Sequence, residues 1–266
     1  MEREIDELRK AVLEAGKAVS ELAKNGFEIE LKSNRDPVTS ADAEANRILK
    51  EALMNNFPEY GWLSEETCDD HDRLARRRVW VVDPIDGTKE FITGIPEFAI
   101  SVALVEDGFP VLCALYNPAT AECFNAVRGK GVWLNGEPIH CRQAVSERLT
   151  VLASRTEVTK GLFRRFEPYI ELTSVGSVAY KLALVAAGKA DATFSLEPKN
   201  EWDIAAGVLL VEESGGKATD NKGTPIVFNQ ARTLVSGVIG AAATAYGPIQ
   251  ELLFTYHFPS SCERDS

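Results

Sequence analysis

The chain reads as a mixed protein, α+β in its first half and α/β in its second. Two observations predict this. Two amphipathic helical patterns lead into a run of short apolar strands joined by tight-turn residues, and from about residue 145 strand-like and helix-like segments alternate. The 266 residues are 45% hydrophobic and 26% charged, which is enough for one large domain or two tightly packed halves without staples. The division falls between an N-terminal half, 1–140, and a C-terminal half, 141–266.

Ile5, Leu8, Val12, Ala15, Val19 and Leu22 recur at helical spacing and predict a helix over 2–24, ending near Asn25-Gly26. A polar loop spans 32–37. Thr39 then fits an N-cap with Asp42 three residues on, and Ala45, Ile48, Leu49, Ala52 and Leu53 form the stripe of a second helix that stops before Pro58. The run 79–82 is a short buried strand. Segments 98–105 and 109–116 flank Glu106-Asp107-Gly108, a hairpin signal, and 123–127 and 132–134 continue the meander, with turns at 129–131 and Asn135-Gly136. In the second half, strands at 149–153, 171–174, 192–195 and 217–219 interleave with helices near 156–168, 177–187, 203–213 and 241–254. The polar tail after Phe258 reads as frayed.

Composition removes several classes of function. The net charge of −11 repels polyphosphate backbones, so a nucleic-acid polymer is not an expected partner. A small phosphorylated metabolite stays open, because bound divalent cations reverse the sign locally. Five cysteines without a C-x-x-C pair suggest thiols in a reducing compartment rather than a zinc ribbon or thioredoxin-type site. Met1-Glu2-Arg3-Glu4 does not resemble a signal peptide and no window approaches ~18 uninterrupted apolar residues, so the expectation is a cytoplasmic protein with no membrane span. The histidines at 71, 140 and 257 do not cluster. Chemistry that needs histidine, as a metal ligand or in a Ser-His-Asp triad, is therefore disfavoured; carboxylates, hydroxyls and metal remain.

Four stretches carry that chemistry. In Trp80-Val81-Val82-Asp83-Pro84-Ile85-Asp86-Gly87-Thr88 a buried strand delivers two aspartates and then a Gly-Thr turn. Ordinary strand–turn punctuation gives such a run; so does a site where carboxylates hold Mg²⁺ and exposed N–H groups meet phosphate. Ser64-Glu65-Glu66-Thr67 is by itself a solvated acid pair. Glu201-Trp202-Asp203-Ile204-Ala205-Ala206-Gly207 and Asp36-Pro37-Val38-Thr39-Ser40-Ala41-Asp42 are by themselves helix caps.

Taken together, these stretches resemble the inositol monophosphatase superfamily of lithium-sensitive phosphatases, which includes the 3′(2′),5′-bisphosphate nucleotidases. The resemblance covers about residues 5–255 and rests on W-x-x-D-P-x-D-G-T followed far downstream by W-D-x-A-A-G. It implies a layered α/β/α/β/α sandwich of the sugar phosphatase type and a metal-dependent phosphoric monoester hydrolase. It also implies a cofactor of two or three Mg²⁺ ions held by Glu65, Asp83, the Ile85 carbonyl, Asp86 and Asp203. Gly87 and Thr88 match the phosphate-contacting turn, and Asp42 and Thr88 the catalytic pair that orients and deprotonates the attacking water. Glu65, Asp86 and Asp203 would also face the substrate. A homodimer is left open. A non-catalytic regulator on this scaffold is the alternative outside the enzymes, and retention of all five metal positions argues against it.

Three details bear on the substrate. Lys89-Glu90-Phe91 after the D-G-T resembles the K-E-F or K-G-F of bisphosphate nucleotidases rather than the T-N-F of inositol enzymes. Lys181, in Gly176-Ser177-Val178-Ala179-Tyr180-Lys181, matches a nucleotidase lysine and would serve a second substrate phosphate; a snorkelling surface lysine is the bland alternative. Leu196 stands where inositol enzymes carry a hydroxyl-binding Glu, with Glu197 one residue out of register. The expectation is therefore removal of the 3′-phosphate of 3′-phosphoadenosine 5′-phosphate, with inositol-1-monophosphatase or a related sugar monophosphatase as the alternative.

Overall fold

The computed structural model describes residues 1–32, 36–144 and 148–256. The middle of the 32–37 loop and the tail expected to fray after Phe258 lie outside the described residues. Helix α1 (Glu2–Asn25) buries Leu8, Val12, Ala15 and Val19 along its predicted stripe and ends at Gly26. A small antiparallel hairpin, β1 (Ile29–Leu31) with β2 (Pro37–Thr39), leads into α2 (Ser40–Asn56). The cap of α2 is the expected one: Thr39 and Asp42 form a reciprocal capping box, which satisfies backbone donors that the first helical turn leaves free.

The seven-stranded sheet follows in chain order: β3 (Gly61–Ser64), β4 (Arg78–Asp86), then, after the short α3 (Thr88–Thr93), β5 (Ala99–Glu106), β6 (Phe109–Asn117), β7 (Glu122–Val127), β8 (Gly131–Leu134) and β9 (Glu137–Pro138). Strand β3 runs parallel to β4 and the rest is an antiparallel meander. Asp107-Gly108 turns the β5–β6 hairpin with φ of 51° and 87°, and Asn135-Gly136 turns β8 into β9 with 51° and 88°. Positive φ at both central positions matches the right-handed twist of the strands, which is why such dipeptides signal hairpins.

The second half comprises β10 (Leu149–Ser154), α4 (Arg155–Thr159), β11 (Ile170–Val175), α5 (Val178–Ala186), β12 (Ala192–Ser195), β13 (Lys199–Asn200), α6 (Glu201–Glu213), β14 (Gly216–Thr219), β15 (Leu234–Val235), β16 (Val238–Ala242) and α7 (Ala243–Tyr256). A five-stranded sheet has the order β11-β10-β12-β16-β14. Two expectations need correction. The helix over 156–168 is only the short α4 followed by turns: Gly161 adopts φ 76°, outside helical space, and Phe163 and Phe166 are buried as anchors of the turns rather than as a helical stripe. The helix over 241–254 begins at Ala243, because Val238–Ala242 is a strand lying between β12 and β14.

Three cores stack these elements into five layers. Trp80 and Val82 of β4 point to α1 and α2, whereas Val79 and Val81 point the other way, to α5 and α6. Helices α5 and α6 are sandwiched between the sheets, with Val238 and Ala218 on their far side. The outer face of the second sheet packs Phe194, Ile239 and Ala241 against Ala245, Ile249 and Leu253 of α7. The result is the α/β/α/β/α sandwich. Among the described residues no helix is long and apolar enough to cross a membrane.

Gly207 explains one letter of the W-D-x-A-A-G run. A Cβ there would stand 2.5 Å from Leu182 Cδ1 and 2.6 Å from Leu182 Cβ, so α5 and α6 approach at a point without a side chain. Gly207→Val should overpack this contact and lower stability by about 1–3 kcal/mol. An unchanged thermal midpoint would show that the two helices are free to move apart.

Candidate active site

The site lies in the middle layer, where β4 ends and α6 begins. Asp83 continues the alternation of Val79 and Val81, so it faces α6. In a regular strand a residue three further on would face the opposite way. A register shift between Asp83 and Asp86 removes that problem: Asp83 pairs with Ser101 and Asp86 with Ala99, two positions on one face of β5. The bulge thus turns an i, i+3 pair of aspartates to the same side. Gly87 follows with φ 98°, a conformation that a Cβ would strain.

The acids come from three elements, and each is fixed by its own partners. Asp83 Oδ1 accepts from the Ile85 N–H at 3.0 Å. Asp86 Oδ2 accepts from the Ser177 hydroxyl and the Ala179 N–H, both at 2.6 Å. Asp203, at the third position of α6, accepts from the Asn200 N–H at 2.8 Å. Glu65 follows β3, its N–H donating to the Val82 carbonyl at 3.2 Å. One carboxylate oxygen from each of Glu65, Asp83 and Asp203 can be chosen so that all lie within 4.8 Å of one another. Asp86 and Ile85 line the same cavity.

Beside this group, Asp42 Oδ2 accepts from the Thr39 N–H at 2.7 Å and the Thr39 hydroxyl at 2.6 Å. That leaves Asp42 Oδ1 for the Thr88 hydroxyl at 3.2 Å, which also lies 3.1 Å from the Ile85 carbonyl oxygen. The helix cap and the expected water-orienting pair are therefore one structure: the α2 cap fixes one carboxylate oxygen and aims the other at Thr88.

Electrostatics indicates what the group can bind. Burial pushes the Asp83 carboxyl well above the usual range, and Glu65, Asp86 and Asp203 push it further. Asp203 is raised likewise, by burial and then by Asp86 and Glu65. Burial also raises Glu65, Asp86 and Asp42, against the hydrogen bonds that favour their ionised forms. Crowded, desolvated acids repel one another unless a cation joins them. A set of hard oxygens at this spacing fits a divalent ion of the Mg²⁺ type. Lys32 partly fills that role here: its ammonium reaches Glu65 at 2.7 Å and Glu66 at 2.5 Å.

The cavity encloses about 260 Å³. Its floor is Glu65, Asp83, Asp86 and Asp203, with Gly87 and Thr88 at the side. The lining also includes Ser154 and Thr156 around the end of β10, Ser195 at the end of β12, and the cations Lys89 and Lys199. Lys181 also lines the cavity, yet its ammonium donates to the carbonyls of Val175 (3.2 Å), Gly176 (3.2 Å) and Ser177 (2.9 Å). All three donors of a lysine are thereby used, and burial pulls its pKa down to about 8. Sequence reasoning passed over Ser177 and Lys199. Ser177 caps α5 through the Tyr180 N–H, a signal readable in G-S-x-x-Y; Lys199 sits just before the α6 cap and had no pattern to mark it.

Similarity to known proteins agrees with this geometry. The inositol monophosphatase family matches residues 1–253. The chain is 38% identical to an inositol-1-monophosphatase of Rhizobium meliloti (strain 1021), over 80% of this chain and 84% of that protein. It is 36% identical to a fructose-1,6-bisphosphatase/inositol-1-monophosphatase of Thermotoga maritima, over 71% and 73% of the two chains. Among solved structures, an IMPase of Thermotoga maritima superposes with a TM-score of 0.84 at 29% identity, covering 96% of this chain and 98% of the other. The fold, the acidic cluster and these matches agree, and the chain belongs to the inositol monophosphatase family of phosphoric monoester hydrolases.

Proposed function

We propose that the protein is a Mg²⁺-dependent phosphatase of small metabolites whose preferred ester carries a second phosphate, with 3′-phosphoadenosine 5′-phosphate as the lead candidate. The observation that carries the reading is the approach of Glu65, Asp83 and Asp203 to within 4.8 Å, next to a Thr88 hydroxyl aimed by Asp42. Glu65, Asp83 and Asp203, with Asp86 and the Ile85 carbonyl, would hold the metal, which when bound supplies Lewis-acid polarisation of phosphoryl oxygens and a lowered pKa for water. Thr88 holds the attacking water through its hydroxyl. Asp42 keeps that hydroxyl oriented and, with a pKa raised by burial, is the better placed to accept a proton near neutral pH. No protein nucleophile is required.

Two features support an ester with a second charge over inositol phosphate. Leu196 is apolar where a hydroxyl-binding carboxylate would stand, and Glu197 is turned out to pair with Lys160 at 2.7 Å. The cavity that holds the carboxylates is also lined by a cation with donors to spare, Lys199. A relative is also named for a sugar bisphosphate as well as for inositol phosphate. The second reading, inositol 1-phosphate, is favoured by the name of the 38% identical relative.

Phosphate release from 3′-phosphoadenosine 5′-phosphate and from inositol 1-phosphate, measured side by side with Mg²⁺, separates the two. A kcat/KM at least tenfold higher for the nucleotide is expected. Preference for inositol 1-phosphate would replace the first reading by the second, and Li⁺ should inhibit under either.

A further inference from the structure

We propose that Lys199 is the specificity residue that binds the second phosphate of the substrate; this rests on the phosphatase reading above. Besides the carboxylates, which need cations of their own, the cavity is lined by the Ser154 and Thr156 hydroxyls and by three lysines, Lys89, Lys181 and Lys199. Lys89 is more than half exposed and pairs with Asp36 at 3.3 Å. Lys181, the lysine expected from sequence to meet the second phosphate, has its three donors committed to carbonyls. Lys199 does not. Among the described residues its Nζ donates to one partner, Glu157 Oε1 at 3.3 Å, and an ammonium has three donors.

The support beneath Lys199 is built rather than incidental. Glu157 is fully buried. Its carboxylate also accepts from the Ser195 hydroxyl at 2.7 Å, the Leu196 N–H at 3.0 Å and the Glu197 N–H at 3.4 Å. One buried acid thus pins the whole 195–199 turn and one donor of the lysine, while the Lys199 side chain keeps 18% of its surface open. Lys199 lines the same cavity as the carboxylates, and its charge favours the ionised forms of Asp86 and Asp203. A lysine presented this way acts as a point charge for a phosphate group. A neutral polyol would leave its two remaining donors to hydroxyls alone.

The test compares esters that differ only in the second phosphate: 3′-phosphoadenosine 5′-phosphate against adenosine 3′-monophosphate, and fructose 1,6-bisphosphate against fructose 1-phosphate, in wild type, Lys199→Met, Lys199→Arg and Lys181→Met. The first pair reports a nucleotide phosphate and the second a sugar phosphate. Wild type should favour the bisphosphate of at least one pair. Lys199→Met should cut that preference by about 10–100-fold, the range of one charge-assisted hydrogen bond, mainly through KM, and Lys199→Arg should restore most of it. Lys181→Met should depress both members of a pair in parallel, because it loosens the Val175–Ser177 backbone. A parallel loss in Lys199→Met, or a wild type without preference in either pair, overturns the assignment while leaving the phosphatase reading standing. Absence of phosphate release from every ester with Mg²⁺ would instead defeat that reading.

Discussion

Asp83→Asn should reduce kcat/KM at least about 10³-fold, or ~4 kcal/mol of transition-state stabilisation, and should weaken Mg²⁺ binding in isothermal titration while the fold persists. The companion effect on stability is the more discriminating one. The folded-state pKa of Asp83 is raised, by burial and then by its acidic neighbours. A raised carboxyl favours the folded state fully only below its unfolded value, about 3.9, and that contribution is lost as pH rises through the folded pKa. In chelator, Asp83→Asn should therefore melt above wild type at pH 8, and the gap should narrow as pH falls toward the usual carboxylate range. Saturating Mg²⁺ should reverse the order by stabilising wild type selectively. Equal melting of the two proteins in chelator at pH 8 would mean that the buried acids do not repel one another.

Thr88→Ala should lower kcat by about 10²–10⁴-fold, the usual contribution of a positioned acid–base group, with Mg²⁺ affinity nearly intact. The Thr88 hydroxyl touches Asp42 and the Ile85 carbonyl and none of the Glu65, Asp83, Asp86 or Asp203 carboxylates, so under the proposed mechanism its loss should act on the water rather than on those carboxylates. Asp42→Asn should show the same kcat defect with an added stability loss of roughly 1 kcal/mol, because the same carboxylate accepts the Thr39 N–H at the α2 cap. A Thr88→Ala enzyme with unchanged kcat would show that the water needs no protein hydroxyl.

Features encoded over three or four residues were readable in advance. The Thr39–Asp42 cap and the turns at Asp107-Gly108 and Asn135-Gly136 belong to this group, since cap and turn chemistry is local. Some of the short elements were not. Strand β3 has four residues and β16 reads Val-Ile-Gly-Ala-Ala; runs this short carry too few periods to separate strand from helix. Leu162, Phe163 and Phe166 mimic a helical stripe across Gly161, so the sequence predicts a helix over 156–168 where only α4 forms.

The site was legible mainly through resemblance. Asp83 and Asp86 at i, i+3 on a strand point apart by local geometry, and the one local mark of the bulge that brings them to one face is Pro84, which cannot donate to the ladder of a central strand. Glu65, Asp203 and Asp42 each look like ordinary caps or surface acids until the sheet and two helix starts converge. The two lysines show the limit most plainly. Whether an ammonium is spent on the carbonyls of its own loop, as in Lys181, or kept partly free on a buried acid, as in Lys199, is decided by tertiary packing.

If the acidic floor works through a divalent cation, phosphate release from 3′-phosphoadenosine 5′-phosphate must depend on free Mg²⁺. The expected result is turnover that vanishes in chelator and returns saturably with Mg²⁺ in wild type but not in Asp83→Asn. Full turnover in the presence of chelator would contradict it.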